Sequence, residues 1–193
     1  MSVTLAKGGN VSLSKAAPNL TQVQIGLGWD ARSTTGAPFD LDASALLCAG
    51  GRVLGDEYFV FYNNLKSPDG SVEHLGDNLI GSADGDGDAE VVVVNLDLVP
   101  PAVDRVVFPV SIYDGELRLQ NFGQVRNAYI RVVNLTTGYE IARYDLSEDA
   151  SGETAMIFGE LYRYQGEWKF RAVGQGYASG LRGIALDFGV NVQ

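Results

Sequence analysis

Alternation of apolar and polar residues with a period of two runs through most of this chain and is typical of β-strands with one buried face. The clearest case is TQVQIGLGWD, where one face carries Val23, Ile25, Leu27 and Trp29. The other face carries Gln22, Gln24, Gly26 and Gly28. This segment is therefore predicted to be a strand that buries its large side chains, including Trp29.

Eight further segments show a strand signature. EYFVFYNN and EVVVVNLDL are apolar almost without interruption, as in the central strands of a sandwich. The others are DLDASALL, RVVFPVSIY, AYIRVVNL, YEIARY, TAMIFGELYRY and EWKFRAV. Pro109 lacks a donor for the strand ladder and therefore indicates a sheet edge or a bulge. Thr136–Gly138 and Gln165–Gly166 are predicted hairpin turns, because glycine tolerates positive φ.

Helical signals are short. VPPAVDR predicts one helical turn, and Leu181, Ile184 and Phe188 would share one face of a short helix near the end of the chain. About ten strands with one or two short helices predict an all-β fold, an antiparallel β-sandwich of two sheets. With 193 residues, 46% of them hydrophobic, the chain can bury one core, so residues 1–193 are predicted to form a single domain.

Charge and targeting signals limit the possible partners. The chain has 24 acidic and 14 basic residues, a net charge of −10 that repels nucleic acid phosphates. We expect no nucleic-acid partner. Cys48 is the only cysteine, which precludes an intrachain disulfide, and its setting in ALLCAG predicts a small buried residue. The sequence shows neither a signal peptide nor an apolar run of about 20 residues, so a cytoplasmic protein without a transmembrane segment is predicted.

Negative charge is concentrated in GDNLIGSADGDGDAE, residues 76–90, which contains no Lys or Arg. Within DGDGDAE, the four acids Asp84, Asp86, Asp88 and Glu90 occupy alternate positions, and the glycines between them leave the backbone free to curl. Two carboxylates about 5 Å apart repel by roughly 3 kcal/mol at an effective dielectric of about 20. Either water screens a mobile loop, or a cation binds there.

Calcium is the cation that these residues favour. It takes about six to eight oxygen ligands and tolerates irregular geometry, whereas magnesium requires a tighter octahedron and zinc prefers His or Cys. The segment is not an EF-hand, because position twelve counted from Asp84 is Asn95 and a strand-like run follows.

Three neighbouring features each have two interpretations. Asp77 and Asn78, which lie between glycines, either form a turn or add ligands to the same site. Asp40 and Asp42 are either solvated on an outer strand face or become ligands if the acidic segment folds across that face. His74, the only histidine, is expected at the surface or, alternatively, near the metal ligands.

A family resemblance is carried, in order, by MSVTLAKGGNVSLSK, LGWD, FDLDASA, GDNLIGSADGDGDAE, NFGQVRNAYIRVVN and YDLSED. Together these motifs resemble the TerD-type tellurium-resistance family over essentially the whole chain. The resemblance implies a calcium-binding β-sandwich of bacterial stress-response systems that holds about two ions. It assigns ion binding to Asp77, Asn78, Asp84, Asp86, Asp88 and Glu90, and suggests Asp40 and Asp42 as well. The implied partners are other stress-response proteins, and a peripheral membrane complex is left open.

No catalytic set emerges from the motifs. His74 has no serine in a nucleophile elbow to accompany it, and GGNVSLSK lacks the Gly-Lys-Ser/Thr ending of a P-loop. The expected function is a non-enzymatic calcium-binding module that presents a surface to partner proteins. The alternative is a metal-dependent hydrolase, which would need a cleft beside the ion and an acid or base that is not a ligand.

Overall fold

A computed structural model describes residues 1–30, 36–76, 87–146 and 152–192 of the chain. The strands are β1 Val3–Thr4, β2 Asn10–Ser12, β3 Gln22–Gly28, β4 Leu41–Ala43, β5 Ala45–Ala49, β6 Arg52–Val53, β7 Phe59–Val60, β8 Val72–His74, β9 Glu90–Asn95, β10 Arg105–Ile112, β11 Tyr129–Asn134, β12 Tyr139–Asp145, β13 Ala155–Tyr164 and β14 Glu167–Tyr177. The α-helices are α1 Leu13–Ala16 and α2 Gly180–Asp187, and short 3-10 helices span Asp56–Tyr58 and Phe122–Gln124. The predicted all-β fold with two short helices is confirmed.

Two sheets form the sandwich. The six-stranded sheet has the order β1-β12-β11-β3-β9-β8. The eight-stranded sheet has the order β2-β14-β13-β10-β5-β6, with β4 paired to β10 and β7 paired to β5. Among the described pairs only β1 with β12 is parallel. The predicted hairpin turns join β11 to β12 and β13 to β14, and Gly138 and Gly166 both have positive φ there.

The main hydrophobic core lies between the two sheets, as the period-two pattern requires. Val23, Ile25 and Leu27 of β3 are buried there, and Trp29 is 3% exposed. Alternation also holds along β9, where Val92 and Val94 are buried and Val91 and Val93 are half-buried. The predicted strand faces of TQVQIGLGWD are therefore confirmed, and EVVVVNLDL buries only one face completely.

A second apolar cluster covers the outer face of the eight-stranded sheet. Ile184 and Ala185 of α2 pack there with Leu46, Cys48 and Val107, which explains why β5 and β10 are apolar at successive positions. Leu181 and Phe188 pack against the same cluster, so the predicted helix face is confirmed. Burial raises the pKa of the Cys48 thiol to about 12, which suits the predicted role of a small buried residue.

Two local predictions are wrong, and one is resolved. EYFVFYNN forms only the two-residue strand β7, because the Asn64 side chain donates to the carbonyls of Glu57 and Phe59 and the chain reverses there. VPPAVDR is a hydrogen-bonded turn from Pro100 to Val103, not a helical turn. Pro109 lies at a register shift between β10 and β13, so it marks a bulge within the sheet.

No helix among the described residues has both the length and the apolar character needed to cross a membrane. The single-domain organisation and the cytoplasmic location stay predictions.

The end of β8 and the start of β9, which flank the acidic segment, lie at one end of the sandwich. We call this end the acidic end. There Leu27 near the end of β3 pairs with Glu90 at the start of β9. In the other sheet, Leu41 at the start of β4 pairs with Ile112 at the end of β10. The indole Nε1–H of Trp29 donates to the Phe39 carbonyl at 3.3 Å and ties the two sheets together at this end.

We expect Ile184→Ala to lower the free energy of unfolding by about 2–5 kcal/mol, because it leaves a cavity under α2. Leu186→Ala on the same helix is the control, since Leu186 is 52% exposed, and its cost should stay within about 0.5 kcal/mol. Urea unfolding followed by circular dichroism measures both. Equal losses for the two variants would contradict the packing of α2 on this sheet.

Candidate functional site at the acidic end

The acidic segment connects β8 to β9, two adjacent antiparallel strands. Asp77, Asn78, Asp84 and Asp86 lie outside the described residues, so their ion-binding roles stay predictions. The glycines on either side of residues 77–86 are described. Gly76 has a φ of 111° and Gly87 a φ of 124°, values that favour glycine over any other residue. The chain therefore leaves β8 and re-enters β9 through backbone turns that need glycine.

Asp88 lies on the outer face of the six-stranded sheet, where three side chains hold its carboxylate. Oδ1 accepts from Arg131 Nε at 2.7 Å and from the Tyr129 hydroxyl at 3.2 Å. Oδ2 accepts from Gln24 Nε2 at 2.7 Å. The Asp88 side chain is only 2% exposed. Both oxygens thus have donors, and the guanidinium balances the charge.

The same contacts change the protonation behaviour of the neighbours. The hydrogen bond to Asp88 is the main reason why the pKa of Arg131 is raised above its usual value. The pKa of Tyr129 is raised to about 12, first by burial and then by the negative charge of Asp88. Arg131 therefore stays charged and Tyr129 stays neutral at physiological pH, and each remains able to donate to Asp88.

Glu90 lies on the inner face of the same sheet. It pairs with Leu27, a core residue, and its side chain is fully buried. His74 Nε2 lies 3.0 Å from Glu90 Oε2, and the Gly76 N–H donates to His74 Nδ1 at 3.0 Å. Nδ1 of the imidazole thus acts as an acceptor, and Nε2 faces the carboxylate.

A bend between Asp88 and Glu90 separates these two acids. The Ala89 N–H donates to the Leu27 carbonyl at 2.8 Å, and the regular ladder of β9 begins only after it. Side chains two apart in a strand share a face, but here Asp88 points outward and Glu90 inward. Within the described part of the chain, no three His, Cys, Asp or Glu residues are placed to hold one metal ion.

Asp40 and Asp42 are buried, with 7% and 8% of their surface exposed. The solvated alternative for these two acids is therefore wrong. Leu41 and Ala43, the two neighbours of Asp42 in β4, point into the main core. Because side chains alternate along a strand, Asp42 faces the outer side of the eight-stranded sheet. It lies opposite Ser111 in the pairing of β4 with β10. This places buried carboxylates of both sheets at the acidic end.

A cleft of about 560 Å³ opens beside Asp42. Its wall is formed by Tyr62, Tyr113, Leu117 and Leu181, and the start of α2 closes one side. Leu117 is 84% exposed. The cleft thus combines a buried carboxylate with apolar and aromatic side chains that water reaches.

Sequence reasoning misplaced His74 and missed the partners of Asp88. His74 is 2% exposed, so the predicted surface location is wrong. The signal was present, because His74 is two residues from the core residue Val72 and so lies on the same face of β8. Period two also places Tyr129 and Arg131 together on the outer face of β11. It does not identify which acid they bind, because Asp88 is 41 residues or more away along the chain.

Comparison with known proteins identifies similar chains over the full length. The TerD domain family matches residues 1–188. The tellurium resistance protein TerD of Serratia marcescens is 62% identical over 192 residues, which cover 99% of each chain. General stress protein 16U of Bacillus subtilis (strain 168) is 52% identical over 194 residues and all of both chains.

A solved structure shares the fold. A homologue of telluride resistance protein (TerD) from Streptomyces coelicolor A3(2) superposes with a TM-score of 0.69 at 27% identity. The match covers 86% of this chain and 96% of that one. The two-sheet architecture is therefore common to chains with little more than a quarter of their residues in common.

We expect His74→Leu to destabilise the protein by about 1–3 kcal/mol, because a buried carboxylate then loses a polar contact. The double variant His74→Leu/Glu90→Met should cost less than the sum of the two single variants, since the buried carboxylate is removed together with the imidazole. Urea unfolding in the presence of a chelator measures this. Additive costs would contradict a coupled His74–Glu90 pair.

Proposed function

The chain belongs to the TerD family of tellurium-resistance and stress-response proteins, and on that premise we propose that it is a non-enzymatic calcium-binding module. The ions would bind at the acidic end of the sandwich, and the ordered end would present a surface to other stress-response proteins. Residues 77–86 would supply most ligands, and the buried acids of the flanking strands would complete the site.

The observation that carries this proposal is the burial of Asp40, Asp42 and Glu90 at the end of the sandwich where residues 77–86 connect two strands. An ionised carboxylate removed from water is costly unless cations and donors surround it. The segment that joins β8 to β9 adds more acid at the same end and contains no basic residue. A divalent cation would turn this repulsion into attraction.

The donor set fits calcium better than other metals. Carboxylates and an amide carbonyl are hard oxygen ligands, and the only nearby imidazole has its Nε2 directed at Glu90. Within the acidic segment, Asp77, Asn78, Asp84 and Asp86 would hold the ions. Glu90 and Asp42 face different sides of their sheets, which favours about two ions over one shared ion.

The cleft beside Asp42 supports the proposed role in partner binding. Apolar and aromatic side chains exposed next to a charged group are typical of surfaces that bind protein segments. Because Asp42 lines this cleft, an ion bound at that carboxylate would change the charge of the surface. The partner would therefore bind differently with and without calcium.

Calcium should stabilise the chelator-stripped protein. A ligand that binds only the native state at about a hundredfold excess over Kd adds roughly 2.7 kcal/mol, so the melting temperature should rise, and magnesium should have a smaller effect. Scanning calorimetry and isothermal titration measure the shift and the stoichiometry. Protein that takes up no calcium at millimolar concentrations would exclude this function.

A matched pair of variants tests the site. Glu90→Gln removes a buried charge but keeps a side chain of the same shape, and it should weaken calcium binding about tenfold or more. Glu73→Gln is the control, because it makes the same charge change at the exposed position of β8. It should alter the Kd for calcium by less than about threefold. Both should keep the fold of the calcium-free protein, checked by circular dichroism. Equal effects would point to general electrostatics.

A further inference from the structure

We infer that Asp88 is a positioning residue and not a calcium ligand: it anchors the end of the acidic segment to the outer face of the six-stranded sheet, with Arg131 as its permanent counter-ion. The part of this inference that concerns calcium rests on the proposed function. The anchor itself rests only on contacts of described residues. It departs from the assignment of ion binding to every acid of the segment.

Both oxygens of the Asp88 carboxylate already accept hydrogen bonds, and one donor is a cation. Arg131, Tyr129 and Gln24 donate to its two oxygens at 2.7, 3.2 and 2.7 Å. A calcium ion bound to the same oxygens would lie next to a guanidinium, and the two cations would repel. Glu140 Oε2 holds Nη1 of Arg131 at 3.3 Å and fixes the guanidinium from its other side.

The sheet is shaped to receive this side chain. A Cβ at Gly26 would overlap the Asp88 carboxylate, and a Cβ at Gly28 would overlap the ring of Tyr129. Both glycines lie on the outer face of β3, two residues apart. The missing side chains form a socket for the carboxylate and for the aromatic ring that donates to it. A residue that served only to bind an ion would need no such socket.

The anchor determines where Glu90 points. Tyr129 also lies with its hydroxyl 3.0 Å from the Gly87 carbonyl, so both Gly87 and Asp88 are held on the outer face. The chain then bends at Ala89 and delivers Glu90 to the inner face, opposite Leu27. Fixing Asp88 therefore fixes the direction in which the acidic segment enters β9.

The test compares two substitutions at one position by calcium titration of chelator-stripped protein. Asp88→Asn removes the charge but can still accept from Arg131 and Tyr129, so its Kd should stay within about threefold of the wild type with the same number of ions. Asp88→Ala loses the anchor, so its Kd should rise about tenfold or more. Hydrogen exchange at the Ala89 and Glu90 amides should quicken in Asp88→Ala and not in Asp88→Asn.

Arg131→Met tests the counter-ion. In the presence of a chelator, Arg131→Met should lower the melting temperature more than Arg171→Met does. A double-mutant cycle of Arg131→Met with Asp88→Asn should show that the two substitutions have non-additive effects on stability. Arg171 is a matched control, because it also contacts a buried acid, Glu160, at 2.7 Å but on the other sheet. Equal shifts for the two arginine variants, or additive effects in the cycle, would overturn the anchor.

Two results would overturn the calcium part of the inference. One is that Asp88→Asn binds one calcium ion fewer, or binds calcium about tenfold more weakly, since that result would identify Asp88 as a calcium ligand. The other is an unchanged calcium affinity in Asp88→Ala, since then the anchor positions nothing that matters for binding. Wild-type protein that binds no calcium would refute the proposed function instead, and the cycle in chelator would still decide whether the Asp88–Arg131 anchor exists.

Discussion

Compensation of buried carboxylates is the constraint on which the acidic end of this protein depends, because an ionised carboxylate out of water needs a cation or several donors close to it. The structure shows two arrangements a few residues apart. Asp88 has a full positive charge and two neutral donors around it. Glu90 faces the imidazole of His74, with 3.0 Å between Oε2 and Nε2. The first arrangement pairs the carboxylate with a guanidinium, and the second places it beside an imidazole.

These two arrangements are possible because the chain crosses from one face of a sheet to the other between Asp88 and Glu90. The crossing takes place at Ala89, whose N–H donates to the Leu27 carbonyl. A regular strand would have placed both acids on one face, where they would repel each other. The bend separates them and gives each its own partners. The sandwich behind them supplies a rigid frame on which such a connection can be held.

The second apolar cluster has a consequence for the same end of the molecule. Where α2 packs on the outer face of the eight-stranded sheet, at Leu46, Cys48 and Val107, that sheet is apolar on both sides. Asp42 lines the cleft together with the start of α2. The cleft lies at the acidic end of the sandwich, as does Glu90 at the start of β9. The match to the TerD domain family over residues 1–188 covers both the cleft residues and the acidic segment.

The sequence by itself determined the fold class, the main strands and the location of the negative charge. Those properties depend on local patterns: the period of two along β3, the hairpin glycines, and an acidic run without a basic residue. It also determined the family, since the ordered motifs extend along the whole chain. Short apolar segments such as EYFVFYNN were misjudged, because local composition does not show that Asn64 ends the strand by bonding nearby carbonyls.

Only the tertiary structure decided which carboxylates are buried and what each one contacts. Asp40 and Asp42 look like solvated positions of an alternating strand, but in the folded protein they are buried. Arg131 is distant from Asp88 in the chain, and their contact exists because β11 and β9 lie on either side of β3. Local patterns fix which way a side chain points within its strand. The charge or donor that it meets there is set by the packing of segments that are far apart in sequence.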